Sequence, residues 1–276
     1  MIVEALSLPF FQRALLAALL ASIACGVIGT FVVVKQMSSI TGGLSHAAFG
    51  GVGLGFYLGF SPMLGAALFS LGCALFLGWI YLRREHNLDT LISMMWSVGM
   101  ALGIFLISLT PGYAPDLKSY LFGSILFVPH EYLVLIALLD LAIVSLVYLL
   151  FKELQAVSFD EEFSLVIGAP VTATLLVLFA LIALTVVVLI KVVGTILTIA
   201  LLTTPAVVAR HWSISLRKMF VYASGIAALC TVFGLLTAYW LSVALNVRAP
   251  TGPLIILFST GVFLFSSTLK RFHASR

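Results

Sequence analysis

The residues of this chain that could do chemistry are few and widely spaced. His46 follows Ser45 near the start of a glycine-rich apolar run, ITGGLSHAAFGGVGLGFYLGF at 40–60. Imidazole is the side chain most often used to bind soft divalent metals, although a lone histidine can equally be a hydrogen-bonded packing residue. Asp140 sits in the middle of a second apolar run. Facing lipid it would cost ~2.5–3.5 kcal/mol, so it is expected to face protein or a watery route, with a hydroxyl, Lys191 or a cavity as partner. Lys191 itself reads as a residue at an outer turn. Met94, Met95 and Met100 could serve Cu(I), but packing filler is the simpler reading. His86 and His211 lie among basic residues and read as ordinary loop residues; His130 and Glu131 mark an outer mouth. Cys25, Cys73 and Cys230 lie in apolar segments without metal-type spacing or a disulfide framework. No lysine follows a glycine, so no phosphate-binding P-loop can be written, and no GxSxG elbow or HExxH pair occurs. No catalytic centre is visible, which points to passage, signalling or scaffolding.

The elements that must position these residues are membrane helices. In 276 residues, 62% are hydrophobic and 9% charged, with a mean hydropathy of +1.23. A soluble domain carries about 25% charge, so a soluble enzyme is excluded. The net charge of +4 lies between apolar runs and sets membrane orientation; it does not mark a nucleic-acid surface. No basic n-region or cleavage site of a signal peptide is seen. Apolar runs fall at about 10–34, 44–60, 62–82, 90–109, 132–151, 171–189, 192–209, 219–245 and 253–269. Such continuous runs demand helices, not a barrel. The expected fold is an all-α polytopic bundle of eight or nine transmembrane helices in one domain, residues 1–276. Lys35, Arg83, Arg84, Lys152, Arg210, Arg217, Lys218, Lys270, Arg271 and Arg276 fall on one side, which the positive-inside rule makes cytoplasmic. Nine spans with an outside N-terminus fit this distribution; eight would require irregularity in the second run or in the sixth and seventh.

Two connections are long. Residues 110–131 face outside, with a short amphipathic piece at Leu117–Phe127. Residues 152–170 face the cytoplasm and hold Glu153, Asp160, Glu161 and Glu162. Ser158 is expected to cap a short helix there, with Glu161 completing a capping box, Gly168 ending it and Pro170 starting the next span. Phe159, Phe163, Val166 and Ile167 form an apolar stripe on it. That stripe suits either docking of another protein or packing beneath its own bundle. Gly51, Gly55 and Gly59, and likewise Gly99 and Gly103, recur every four residues and predict bare faces for close helix packing.

With those segments in view, the chain resembles the permease subunits of bacterial and archaeal ABC importers for zinc, manganese and related divalent metals. The resemblance runs through 10–51, DLKSYLFGSILFV at 116–128, VSFDEEFSLVIGAPV at 157–171 and KVVGTILTIALLTTPAVVAR at 191–210. It implies a prokaryotic cytoplasmic (inner) membrane protein that moves Zn²⁺, Mn²⁺ or Fe²⁺ as substrate. Two copies would sit on two cytoplasmic ATPase subunits, and an extracytoplasmic metal-binding protein would deliver the ion. ATP would bind only in the partner, no cofactor would be tightly held, and the chain itself would not be an enzyme. The family's docking loop carries over to 157–168, with Phe159, Asp160, Glu161 and Gly168. The family pattern D-x-x-S-H at the second span places its Ser and His at Ser45 and His46, but its Asp position is Gly42 here. The ligand set is therefore incomplete, with Asp140 a candidate substitute. The alternatives are a permease for a metal chelate or vitamin (siderophore or cobalamin), which should need a wider pore, and an ion-gradient-driven carrier that works without an ATPase.

Overall fold

The computed structural model describes residues 7–83, 87–111, 123, 125, 128–246 and 249–274. Among them are eleven helices and no strand. Nine are long: α1 Pro9–Val34, α2 Ser38–Leu58, α3 Pro62–Arg83, α4 Leu88–Leu109, α5 His130–Leu149, α8 Val171–Val193, α9 Thr195–Trp212, α10 Leu216–Ala244 and α11 Thr251–Ala274. Two short ones, α6 Phe151–Phe159 and α7 Glu161–Val166, lie between α5 and α8.

Each long helix matches one apolar run, but only seven are apolar and long enough to count as membrane spans. This is below the eight or nine expected, and α2 and α9 make the difference. α2 is diluted by six glycines with Ser, Thr and His46. α9 carries four threonines, Pro205 and the basic pair Arg210 and His211. Neither needs a lipid-facing surface of high hydropathy, because both pack inside the bundle against several neighbours. The second run also begins six residues earlier than its hydropathy implies, because Ser38–Gly43, apart from the buried Ile40, is polar or small yet helical.

The core is built on α1 and α8, whose most apolar stretches are 78% and 72% buried; those of α4 and α11 are only 22% buried. α2 is held between α3 and α4, α1 lies on α10, and α9 joins α1, α10 and α11. The connections are short. Lys35, Gln36 and Met37 alone link α1 to α2, and Gly194 alone links α8 to α9 at φ 81°, ψ 165°. That conformation belongs to glycine.

On the cytoplasmic side the expected single helix is two. Ser158 does not cap it; it is buried within α6. Asp160 is the cap, breaking the chain at φ −151°, ψ 106° and accepting the Phe163 N–H at 2.9 Å. The short carboxylate side chain at the break reaches the third amide, which is the geometry an N-cap requires. Gly168, at φ 78°, ends α7, and the Ala169 N–H returns to the Ser164 carbonyl at 2.9 Å. Pro170 then caps α8. The outer piece at Leu117–Phe127 falls outside the described residues except for Gly123 and Ile125, as do Arg84, His86 and Arg276.

Candidate functional site

The glycines of α2 decide where His46 sits. A Cβ on Gly99 of α4 would lie 2.4 Å from the Ala47 Cα, and one on Gly103 would lie 2.4 Å from the Phe49 carbonyl oxygen. On the other flank, a Cβ on Gly51 would meet the Gly65 carbonyl oxygen of α3 at 2.2 Å, and one on Gly55 would meet the Pro62 Cα at 2.6 Å. The three backbones are therefore in direct contact, as small residues permit in lipid. Gly59 differs from this group. It lies past the end of α2 as a left-handed cap at φ 74°, and a Cβ there would meet no atom within 4 Å, so it shapes a turn and packs against nothing.

This close approach brings Trp96 of α4 onto His46. The two rings are stacked, with centroids 4.2 Å apart and planes 10° apart. His46 is buried, and its Nδ1 has no hydrogen-bond partner among the described residues. The adjacent Ser45 hydroxyl does not supply one, because it donates to the Thr41 carbonyl at 2.6 Å. Gly42, one turn before His46 on the same face, also looks at Trp96: a Cβ there would lie 3.2 Å from the indole Cζ3 and 3.7 Å from Ile199 Cδ1 of α9.

From this point a polar stripe runs along the exposed face of α4 toward the cytoplasm. Asp89, Ser93 and Ser97 recur at every fourth residue and are exposed. Ser39 of α2 donates to Asp89 Oδ1 at 2.6 Å, and the Ser93 and Ser97 hydroxyls donate to the Asp89 and Ser93 carbonyls at 2.8 and 3.1 Å. A hydroxylic face with a carboxylate at its inner end is a poor surface for lipid and a good one for water or another protein. Neither Asp89 nor Trp96 is among the residues the sequence singles out. The four-residue spacing of Asp89, Ser93 and Ser97 is the signal that could have found the stripe.

Asp140 is not brought to this site. It lies on α5, which packs on α1 and not on α2. It is buried, with neither carboxylate oxygen hydrogen-bonded among the described residues. Nor does Lys191 answer it. The Lys191 ammonium lies 5.3 Å from the centre of the Tyr132 ring at the outer end of α5, some two turns, ~12 Å, from Asp140. Among the described residues no three of His, Cys, Asp and Glu converge to hold a metal ion. His211 is not a loop residue: it lies in the last turn of α9, and its Nδ1 is 3.1 Å from the Ser266 hydroxyl of α11.

A second site faces the cytoplasm. Phe159, Phe163, Leu165, Val166 and Ile167 are all exposed, Val166 by 84%. Asp160 is exposed beside them as the α7 cap. Glu161 points the other way. One of its oxygens, Oε1, pairs with the Lys35 ammonium and accepts the Tyr81 hydroxyl at 2.6 Å. The same ammonium donates to the Val157 carbonyl at 3.2 Å.

Comparison with known proteins agrees with this architecture. The model of the ABC 3 transport family matches residues 7–270. A membrane protein of Synechocystis sp., described as uncharacterized, is 44% identical over 98% of this chain and 94% of its own length. The manganese transport system membrane protein MntC of Listeria monocytogenes is 32% identical over 93% of this chain and 89% of its own. Among solved structures, PsaBC from Streptococcus pneumoniae in complex with Fab superposes with a TM-score of 0.83 at 34% identity, covering 96% of this chain and 95% of that one.

Proposed function

This chain belongs to the ABC 3 transport family and is a multi-pass permease of a bacterial inner-membrane metal importer; we propose that its cargo is Mn²⁺ or Zn²⁺ and that the ion passes between two copies of the chain. The observation that carries this reading is His46: a buried imidazole with an unpartnered Nδ1, covered by Trp96 and standing at the head of the Asp89–Ser93–Ser97 stripe.

One imidazole cannot hold a divalent ion, and Gly42 leaves the neighbouring position without a carboxylate. A second copy facing α4 would add a second His46 and cover the hydroxylic stripe of both chains. α4 and α11 are the long helices with least burial, which suits them to such a seam. Two imidazoles with water make a weak, transient site, and conduction requires an ion to leave as readily as it enters. The stripe then offers hydroxyls and, at its cytoplasmic end, the Asp89 carboxylate to the departing cation.

The energy comes from a separate ATPase, which takes the exposed Phe159, Phe163 and Val166 as its seat; the permease hydrolyses nothing and holds no tightly bound cofactor. An extracytoplasmic binding protein delivers the ion to the outer face. The test is uptake of ⁵⁴Mn²⁺ and ⁶⁵Zn²⁺ by the complete importer in liposomes. His46→Ala should lower uptake at least about tenfold, ~1.4 kcal/mol, while the two copies still assemble with the ATPase. Uptake equal to that of the parent protein removes His46 from the route.

A further inference from the structure

The sequence casts Glu161 as part of the surface that meets the ATPase, yet its side chain is turned into the permease. Only 20% of it is exposed, and its partner Lys35 is 6% exposed. Through one oxygen it holds two helices at once: α3 by the Tyr81 hydroxyl at 2.6 Å and the end of α1 by the Lys35 ammonium. The Lys35 ammonium also takes the Val157 carbonyl of α6 at 3.2 Å and lies 5.7 Å from the centre of the Tyr81 ring. Lys35, Tyr81, Glu161 and the α6 backbone therefore form one charged knot.

The place of Lys35 in the chain gives the knot its meaning. It is the first of three residues joining α1 to α2. α2 begins three residues later and carries His46 eight residues past its first residue, Ser38, and a helix is stiff over that length. Tyr81 stands near the end of α3, the helix that touches α2 backbone to backbone at Gly51 and Gly65. Both helices gripped by Glu161 thus lead directly to the helix that bears His46. The exposed Phe163 and Val166 lie on the opposite side of the same short helix. A cleft of about 310 Å³ beside the knot, lined by Tyr81, Glu161, Leu165 and Val171, leaves room for the side chain to swing while α7 moves.

We propose that Glu161, tied to Lys35 and Tyr81, is a positioning residue that transmits motion of the ATPase seat to the His46 helix, and is not itself a docking residue. This rests on the reading of the chain as an ATP-driven permease. A push on α7 reaches α1 and α3 through charge-assisted bonds, which are directional and roughly twice as strong as neutral ones. Cut the tie and the motor still binds and turns over, but its stroke no longer reaches the pathway.

The experiment uses the complete importer in liposomes, with ⁵⁴Mn²⁺ uptake and ATP hydrolysis measured on the same vesicles and ATPase retention measured by co-purification. Glu161→Gln and Lys35→Met should keep ATPase retention and hydrolysis within about twofold of the parent, while ions moved per ATP fall about tenfold. Lys35→Arg, which retains the charge, should keep the parent ratio. The proposal is overturned if the ratio is unchanged in Glu161→Gln, or if hydrolysis and uptake fall together with loss of the ATPase, since that is the signature of a docking or purely structural residue. Failure of the unaltered importer to couple Mn²⁺ uptake to ATP would instead overturn the permease reading beneath it, and the two failures are told apart by the parent sample alone.

Discussion

The imidazole of His46 lies flat against the indole of Trp96, with ring centres 4.2 Å apart and planes within 10°. An unpartnered ring nitrogen under an aromatic cover is guarded from water on one face. Trp96 is 40% exposed, so the cover borders the open side of α4.

Trp96→Ala should therefore unmask His46. The rate of diethyl pyrocarbonate modification at His46, followed by peptide mass spectrometry, is expected to rise. Trp96→Phe, which keeps an aromatic face and an offset-stacking gain of about 0.5–1.5 kcal/mol, should stay near the parent rate. Equal rates in Trp96→Ala and parent would mean that the indole shields nothing.

Gly42→Asp should restore a carboxylate one turn from His46. Hard oxygen donors favour Mn²⁺ over the softer Zn²⁺. The added Cβ would meet the Trp96 ring at 3.2 Å, so the indole must yield a few tenths of an ångström. The ratio of Mn²⁺ to Zn²⁺ uptake in competition assays is expected to rise about tenfold, ~1.4 kcal/mol; a ratio that stays flat or falls counts against position 42 as part of the ion route.

The glycines separate into two kinds. Gly51→Ala drives a methyl to within 2.2 Å of a backbone oxygen, an overpacking of about 1–3 kcal/mol. Gly72 in α3 has nothing within 4 Å, so Gly72→Ala should gain up to ~1 kcal/mol from helix propensity. Melting temperatures in detergent should move down for the first and hold or rise for the second. The same direction in both would show that propensity and not contact governs these sites.

Phe163→Asp and Val166→Asp alter side chains that the permease leaves exposed. Melting of the isolated permease should not change. Affinity for the ATPase should drop by at least about 2 kcal/mol, near thirtyfold, as read by surface plasmon resonance on detergent-solubilised protein. Undiminished binding would move the motor seat elsewhere.

Hydropathy locates every long helix to within a few residues, because a span must be apolar and must satisfy its own backbone. It fails at the start of α2, where Ser38 to Gly43 are helical through packing and not through affinity for lipid. The grip of Gly51 and Gly99 on their neighbours is legible in the four-residue spacing, whereas Gly59, with the same spacing, falls beyond the helix end. Spacing reports a face only while the helix continues. His46 is marked by its type, and Gly42 by the resemblance. Asp89 is marked only by its four-residue spacing from Ser93 and Ser97, and nothing local marks Trp96, because which face of α4 meets α2 and which stays open depends on tertiary contacts absent from the local pattern. Glu161 reads as a docking residue for a related reason: a row of acids in sequence does not tell which one turns inward toward Lys35.

The contacts of Gly51 with Gly65, Gly99 with Ala47 and Gly103 with Phe49 leave no gap for one of these helices to slide past another. α2, α3 and α4 must travel as a single slab. A doorway for the cargo therefore cannot open inside that slab; on the proposed pairing of two copies it opens where the slab of one molecule parts from its neighbour, and crosslinks inside it should leave traffic untouched while a bridge across the parting line should stop it.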